Sequence, residues 1–165
     1  MKLKTVLAGL GVVCALGALA GCGGNSQPEQ RDSSDQITQA GQVDAFSVHI
    51  GDCLISNSLD STFTNVPGVP CSDPHDSEVI YIFSMPDGTF DQDAIDSAAE
   101  DECPTQMASY VGPNWDTALD GNITYTYFTP TSESWSQGGD REVDCLAATN
   151  SGTNDWTSSV KGVGA

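Results

Sequence analysis

Positive charge is almost missing from this chain: 5 Lys and Arg stand against 23 Asp and Glu in 165 residues, a formal net charge of −18 at pH 7. Recognition of nucleic acid needs Lys and Arg to neutralise phosphates, and this composition excludes it. Histidine is nearly as scarce, with only His49 and His75, so histidine-based catalysis or metal binding has two positions to draw on. The G-x-S-x-G elbow of serine hydrolases, the C-x-x-C spacing of zinc sites and the D-x-D-x-D-G-x5-E order of a calcium loop do not occur. Asp87 to Asp96, "DGTFDQDAID", comes nearest to the last and reads as a turn followed by a helix start. No long, strongly apolar run is present either. The stretch from Thr5 to Ala20 is rich in Gly and Ala and falls short of the roughly 20 strongly apolar residues of a membrane-spanning helix.

That stretch follows Lys2 and Lys4, giving the charged region and apolar region of a secretory signal. It ends in "LAGC", Leu19 to Cys22, which resembles the lipobox of bacterial lipoproteins, where the cysteine is diacylated and becomes the first residue. Residues 1–21 are therefore read as a signal peptide and Cys22 as the lipidation site, placing the chain on the outer face of the cytoplasmic membrane. Two or three acyl chains hold stably where one holds marginally, at about 0.8 kcal/mol per buried methylene. Residues 22–43 lack aromatics and almost lack large apolar side chains. They are expected to form a flexible tether with a reach of roughly 25 Å, ahead of one folded domain over residues 44–165. Loss of the signal leaves 3 basic and 23 acidic residues, a charge of −20. An anionic lipid surface repels such a domain, so the lipid itself must anchor it. The carboxylates are scattered along the chain, which favours a solvated anionic surface over a concentrated cation site.

Setting aside Cys14 in the signal and Cys22, four cysteines remain, Cys53, Cys71, Cys103 and Cys145. An even number in an exported chain indicates disulfides. Three pairings are open. Cys53 with Cys71 and Cys103 with Cys145 is favoured, because the first closes a short Gly/Pro/Asn-rich loop and the second pins a helix to a late strand. Each bond stabilises by about 3 to 4 kcal/mol in the loop-entropy view.

Phe46, Val48 and Ile50 alternate as in a half-buried strand ended by Gly51 and Asp52. Glu78 to Ser84, "EVIYIFS", is a stronger strand, stopped by Pro86 and the Asp87-Gly88 turn. From Gln92 to about Val111, apolar residues recur at spacings of three and four, with Asp91 as N-cap and Gly112 as the stop. Pro104 is expected to kink or restart this helix. Asn122 to Pro130 and Asp140 to Thr149 supply two further strands around the turn-rich "TSESWSQGG". The order predicts an α+β fold, a small, largely antiparallel sheet with one main helix packed on one face, stapled by disulfides.

The combination of "GDC" at Gly51 to Cys53, "VPCSDPHDSEV" at Val69 to Val79, a cysteine-bearing helix ending "YVG" and "YFTPTSESWSQGGDREVDC" at Tyr127 to Cys145 resembles the septum formation family, secreted or membrane-anchored proteins found mostly in actinobacteria. The resemblance implies a link to cell division and the envelope and a two-disulfide domain, and it carries no catalytic residues.

Two constellations are candidate sites. His75, with Asp73, Asp76 and Glu78 beside it, offers ligands suited to zinc or calcium. The plainer reading is a stapled turn in which Pro74 fixes the backbone and the histidine fills a half-buried position; it is preferred, because metal ligands normally come from distant segments. Trp135 with Asp140 and Arg141 is either a recognition patch for a wall glycan or partner protein or a structural ion pair beneath a packed indole, and the second is preferred. The expected function is that of a non-enzymatic, membrane-anchored lipoprotein of division or the envelope. Its partners are the membrane, through the lipid, and an envelope or division protein or cell-wall component; no cofactor or metal is called for. The alternative is a metal-dependent envelope hydrolase, or a cation- or ligand-binding lipoprotein, centred on His75.

Overall fold

Short strands and one helix whose buried residues recur every four positions build the described part of the molecule. The computed structural model describes residues 27–60 and 62–165; the signal peptide and Cys22 lie outside them. In chain order the elements are β1 (Gln30–Arg31), β2 (Ile37–Gln39), β3 (Gly41–Asp44), β4 (Cys53–Leu54), β5 (Asn65–Val69), β6 (Ser77–Ser84), α1 (Gln92–Tyr110), β7 (Thr124–Phe128) and β8 (Glu142–Ala148). Six strands form one antiparallel sheet in the order β3-β5-β4-β6-β8-β7, and β1 and β2 pair by themselves. This is the α+β fold expected, with α1 across one face.

The helix starts where Asp91 accepts a hydrogen bond from the Ala94 amide at 3.2 Å, which satisfies one of the donors a helix leaves free at its start. Ile95, Ala99, Cys103 and Met107, four residues apart, form its buried face and pack on Val143, Cys145 and Ala147, the helix-side residues of β8. Full burial of Ile95 and Met107 contributes about 1.5 to 3 kcal/mol each. Gly112, at φ +128, turns the chain away, and a Cβ there would overlap the Gly164 and Ala165 backbone. Pro104 does not end or restart the helix, which runs from Gln92 to Tyr110 through it. Fully buried Cys103 and Met107 on either side, and the bond from Cys103 to Cys145, hold the segment helical against the penalty of a proline.

The opposite face of the sheet has its own core of Ile37, Val43, Val48, Leu54, Val66, Val79 and Leu146. Ile37 and Val43 come from the stretch expected to be tether, and that expectation is corrected from residue 27 onward. The Gln42 amide donates to the Gln27 carbonyl at 2.8 Å, and Arg31 forks onto the buried Asp52 carboxylate at 2.6 and 2.8 Å. Short edge strands need backbone partners and a few aliphatic side chains, and a compositional argument for disorder overlooks both. The strand expected at Phe46 to Ile50 is also corrected. Turn hydrogen bonds from Ser47 N to Asp44 O and from Asp52 N to His49 O curl this segment, leaving Phe46 53 % and Ile50 49 % exposed while Val48 alone is buried. In its place β5 carries Pro67 and Gly68 inside the sheet. A Cβ on Gly68 would run into Val43 and Ile37, so the glycine lets the N-terminal strands close over it. The disulfides are Cys53–Cys71 and Cys103–Cys145, the favoured pairing.

Candidate functional site

After β5 the chain makes a tight turn, Asp73 N donating to Pro70 O at 2.8 Å, and delivers His75 into the interior with no exposed surface. The His75 backbone exchanges two hydrogen bonds with Trp156, at 3.0 and 3.1 Å. Its Nδ1 lies 2.8 Å from the Asp73 carbonyl; a carbonyl only accepts, so Nδ1 carries the proton and donates. The Trp156 ring stands edge-on to the imidazole at 6.1 Å, and His75 Nε2 has no hydrogen-bond partner among the described residues. The neighbouring carboxylates point elsewhere. Asp76 accepts from Ser56 N, Ser56 Oγ and Asn57 N at 2.8 to 2.9 Å. Glu78, fully buried, accepts from the Tyr110 hydroxyl, Ser159 Oγ and Val160 N, each at 2.7 Å. Burial, and then the charge of Glu78, holds the Tyr110 hydroxyl well above its ordinary pKa. The Asp73 side chain is exposed. The four residues proposed as a cation site are thus not gathered on one point. Donor atoms of Cys53, His75 and Glu78 do lie within 4.8 Å of one another, the single such trio among the described residues. Cys53 is tied up in a disulfide and has no thiolate to offer.

Trp135 and Arg141 meet as the sequence suggested. The guanidinium sits 3.9 Å from the centre of the indole, within cation–π range, and its Nη1 donates to the carbonyls of Trp135 and Asp140 at 3.0 and 2.7 Å. Nε lies 3.3 Å from a carboxylate oxygen of solvent-exposed Asp87, close enough for an ion pair but not aligned as a hydrogen bond. Trp135 is buried and donates from Nε1 to Gly88 O at 2.9 Å. Together they fasten the single π-type turn Ser134–Gly138 to the start of β8.

This turn, the start of β8 and the curled loop at Phe46 wall an open groove of about 1270 Å³ on the face away from α1. Glu133, Asp140, Glu142 and Asp144 line it, with aromatic walls from Phe46, Phe63 and Phe128. Phe63 and Phe128 pack edge to face at 4.7 Å. Asp140 is held by the amide of Glu142 at 3.0 Å and by Ser134 Oγ at 2.9 Å. Asp144 differs. It is 4 % exposed, its cross-strand partners are Ile82 and Phe128, and its Oδ1 has no partner among the described residues. Burial, and then the negative charges of Glu142 and Asp140, push its pKa up to about 8. Burial and Asp140 also raise Glu142, with His49 opposing.

Sequence reasoning missed Asp144, Glu142 and Phe46. A signal for Asp144 existed: Val143, Cys145 and Ala147 mark one face of the strand, Leu146 marks the other as buried too, and Asp144 stands on Leu146's side.

A sheet with one covering helix, two disulfides and an open acidic groove defines a stapled α+β domain. The chain belongs to the septum formation family: the model of that family, described as septum formation, matches residues 12–156. Membership ties it to cell division or the cell envelope. No curated protein and no solved structure is a significant match to the chain.

Proposed function

We propose that this protein is a lipoprotein held by Cys22 on the outer face of the cytoplasmic membrane, serving division or the envelope through contacts with a protein or wall component and without turnover. The observation that carries the reading is the groove: β8 sets into it the carboxyl of Asp144, with one oxygen unpaired among the described residues, and an exposed aromatic, Phe46, lines the same groove, and such groups on a supported surface are contact elements. The lipobox-like "LAGC" supports the anchor. Support for a non-catalytic role comes from His75, whose Nδ1 is committed to a carbonyl and whose ring is enclosed, so it cannot serve an external nucleophile as base.

A fluorescent fusion that folds after export tests the reading, imaged beside a Cys22→Ala form. Enrichment at division sites, lost in the variant, is expected; a uniform signal in both forms overturns it. A metal-dependent hydrolase centred on His75 rests on the unpaired Nε2, and it requires wall-fragment turnover that chelation abolishes.

A further inference from the structure

We propose that the groove receives a basic protein segment in extended conformation, its Lys or Arg side chains at every second residue meeting Glu142 and Asp144 and its stem methylenes lying on Phe46. The inference rests on the contact-protein reading above and names the chemistry of the partner. Four observations converge on it.

Asp144 is the first. A carboxyl that is 4 % exposed, set between Ile82 and Phe128 and lacking a partner on Oδ1, is a buried polar group left unsatisfied, and native structures keep few of these without a use. Second, the groove has one sign of charge to offer. Glu133, Asp140, Glu142 and Asp144 line it, while Arg141 is committed to two carbonyls and the Trp135 ring. Third, the carboxylates do not converge. Among the described residues, no three His, Cys, Asp or Glu ligand atoms of the groove lie within 4.8 Å of one another, the trio at Cys53 being elsewhere, whereas a divalent cation such as calcium takes six to eight oxygens. Glu142 and Asp144 instead follow each other at the two-residue repeat of β8, about 6.6 Å apart. An extended partner has the same repeat, so successive cations face successive carboxylates. Fourth, Phe46 is 53 % exposed at the mouth, where an aromatic face receives a cation or the stem of a lysine.

Binding then moves a proton. Burial, with Glu142 and Asp140 on its own strand and lead-in, favours the neutral form of Asp144; the charge of His49, in the loop before β4, acts on Glu142, and Glu133 also lines the groove. A cation in the groove favours the charged carboxylate, so binding releases the Asp144 proton to solvent.

The test is calorimetric titration of the full-length protein in detergent micelles with an eight-residue peptide alternating lysine and threonine. A peptide of the same composition with its four lysines in one block controls for non-specific attraction to the strongly negative chain. The alternating peptide is expected to bind at least tenfold tighter than the block. Asp144→Asn, nearly isosteric, should reduce affinity at least tenfold with the circular dichroism spectrum unchanged, and Glu142→Gln should act in the same direction. Affinity should rise by up to about tenfold per pH unit below pH 8 and level off above it, and Asp144→Asn should flatten that rise. Equal binding of the two peptides, indifference to both substitutions, or stoichiometric calcium binding that displaces the peptide each overturns the proposal. If the peptide fails while the fusion still gathers at division sites, this inference falls and the envelope reading stands. If the peptide binds while the fusion is uniformly distributed, the groove chemistry stands and the division role falls.

Discussion

Glu78 and Asp144 are both buried carboxyls, on the neighbouring strands β6 and β8 of one sheet, and they lie in regions of opposite character. Around Glu78 three donors from α1 and the C-terminal segment close at 2.7 Å, and His75 and Trp156 complete an interior floor. Around Asp144 the neighbours are apolar side chains and other acids, one oxygen is unpaired, and the space in front is open. The motif that stands out in the sequence, the histidine with its acids, is the finished structural part. The inconspicuous aspartate of β8 lies in the part that is left open, with one oxygen unpaired among the described residues. A buried charge with all its partners holds a fold together; one without them is a liability unless something arrives to meet it.

Removing Glu78 strikes hardest at this contrast. Glu78→Ala leaves Tyr110, Ser159 and the Val160 amide without an acceptor, and we expect a loss of about 4 kcal/mol in urea unfolding; a loss below about 1 kcal/mol would mean the floor is no tighter than the groove. Disulfides come next. Replacing Cys103 and Cys145 by alanine frees the strand beneath Asp144, at about 4 kcal/mol for a separation of 42 residues, and replacing Cys53 and Cys71 loosens the strand beside Glu78, at about 3 kcal/mol for 18. Denaturant midpoints of the two double variants should fall in that order.

Asp144→Asn should do the reverse and stabilise. The folded pKa of about 8 lies above the ordinary 3.8, so the native state binds more protons than the unfolded chain between these values and stability falls as pH rises. Asp144 favours the fold fully below about pH 4 and has lost that contribution above about pH 8. The variant should therefore be more stable than the parent at pH 9, with the gap closing by pH 4; a constant gap would show that Asp144 is not held neutral. The smallest effect is expected at a third buried carboxyl, Asp52. Arg31→Met leaves it with the His49 amide as its remaining partner, and we expect about 1 kcal/mol of destabilisation with earlier proteolytic cleavage near residue 31.

What was legible in the sequence was local. The α1 boundaries follow from the Asp91 cap, the fourfold spacing of Ile95, Ala99, Cys103 and Met107, and the Gly112 stop, all within one segment. The strands at β6 and β7 announce themselves by β-branched and aromatic content, and β8 by its short apolar run after a turn-rich segment. Long-range closure was harder to read. Pro67 and Gly68 disguise β5 because each disfavours a strand by itself, and only Val43 and Ile37 packing over Gly68 shows why that glycine belongs there. The alternation of Phe46, Val48 and Ile50 mimics a strand in what is a loop. The groove draws on at least four separate segments, so no window of sequence contains it, and Leu146 is the one local sign that the side of β8 bearing Asp144 is buried.

The docking of the N-terminal segment sets a standing height for the domain. Gln27 already bonds to Gln42, so with Cys22 acylated as proposed only about five residues separate the acyl chains from folded protein, a leash of at most about 18 Å. That is shorter than the body it holds, whose diameter on general scaling is about 35 Å. The protein would stand on the bilayer as a short post, its acidic bulk pressed outward by anionic headgroups, and could not reach far into the wall. A basic segment able to fill the groove would therefore have to lie within one domain's height of the same membrane.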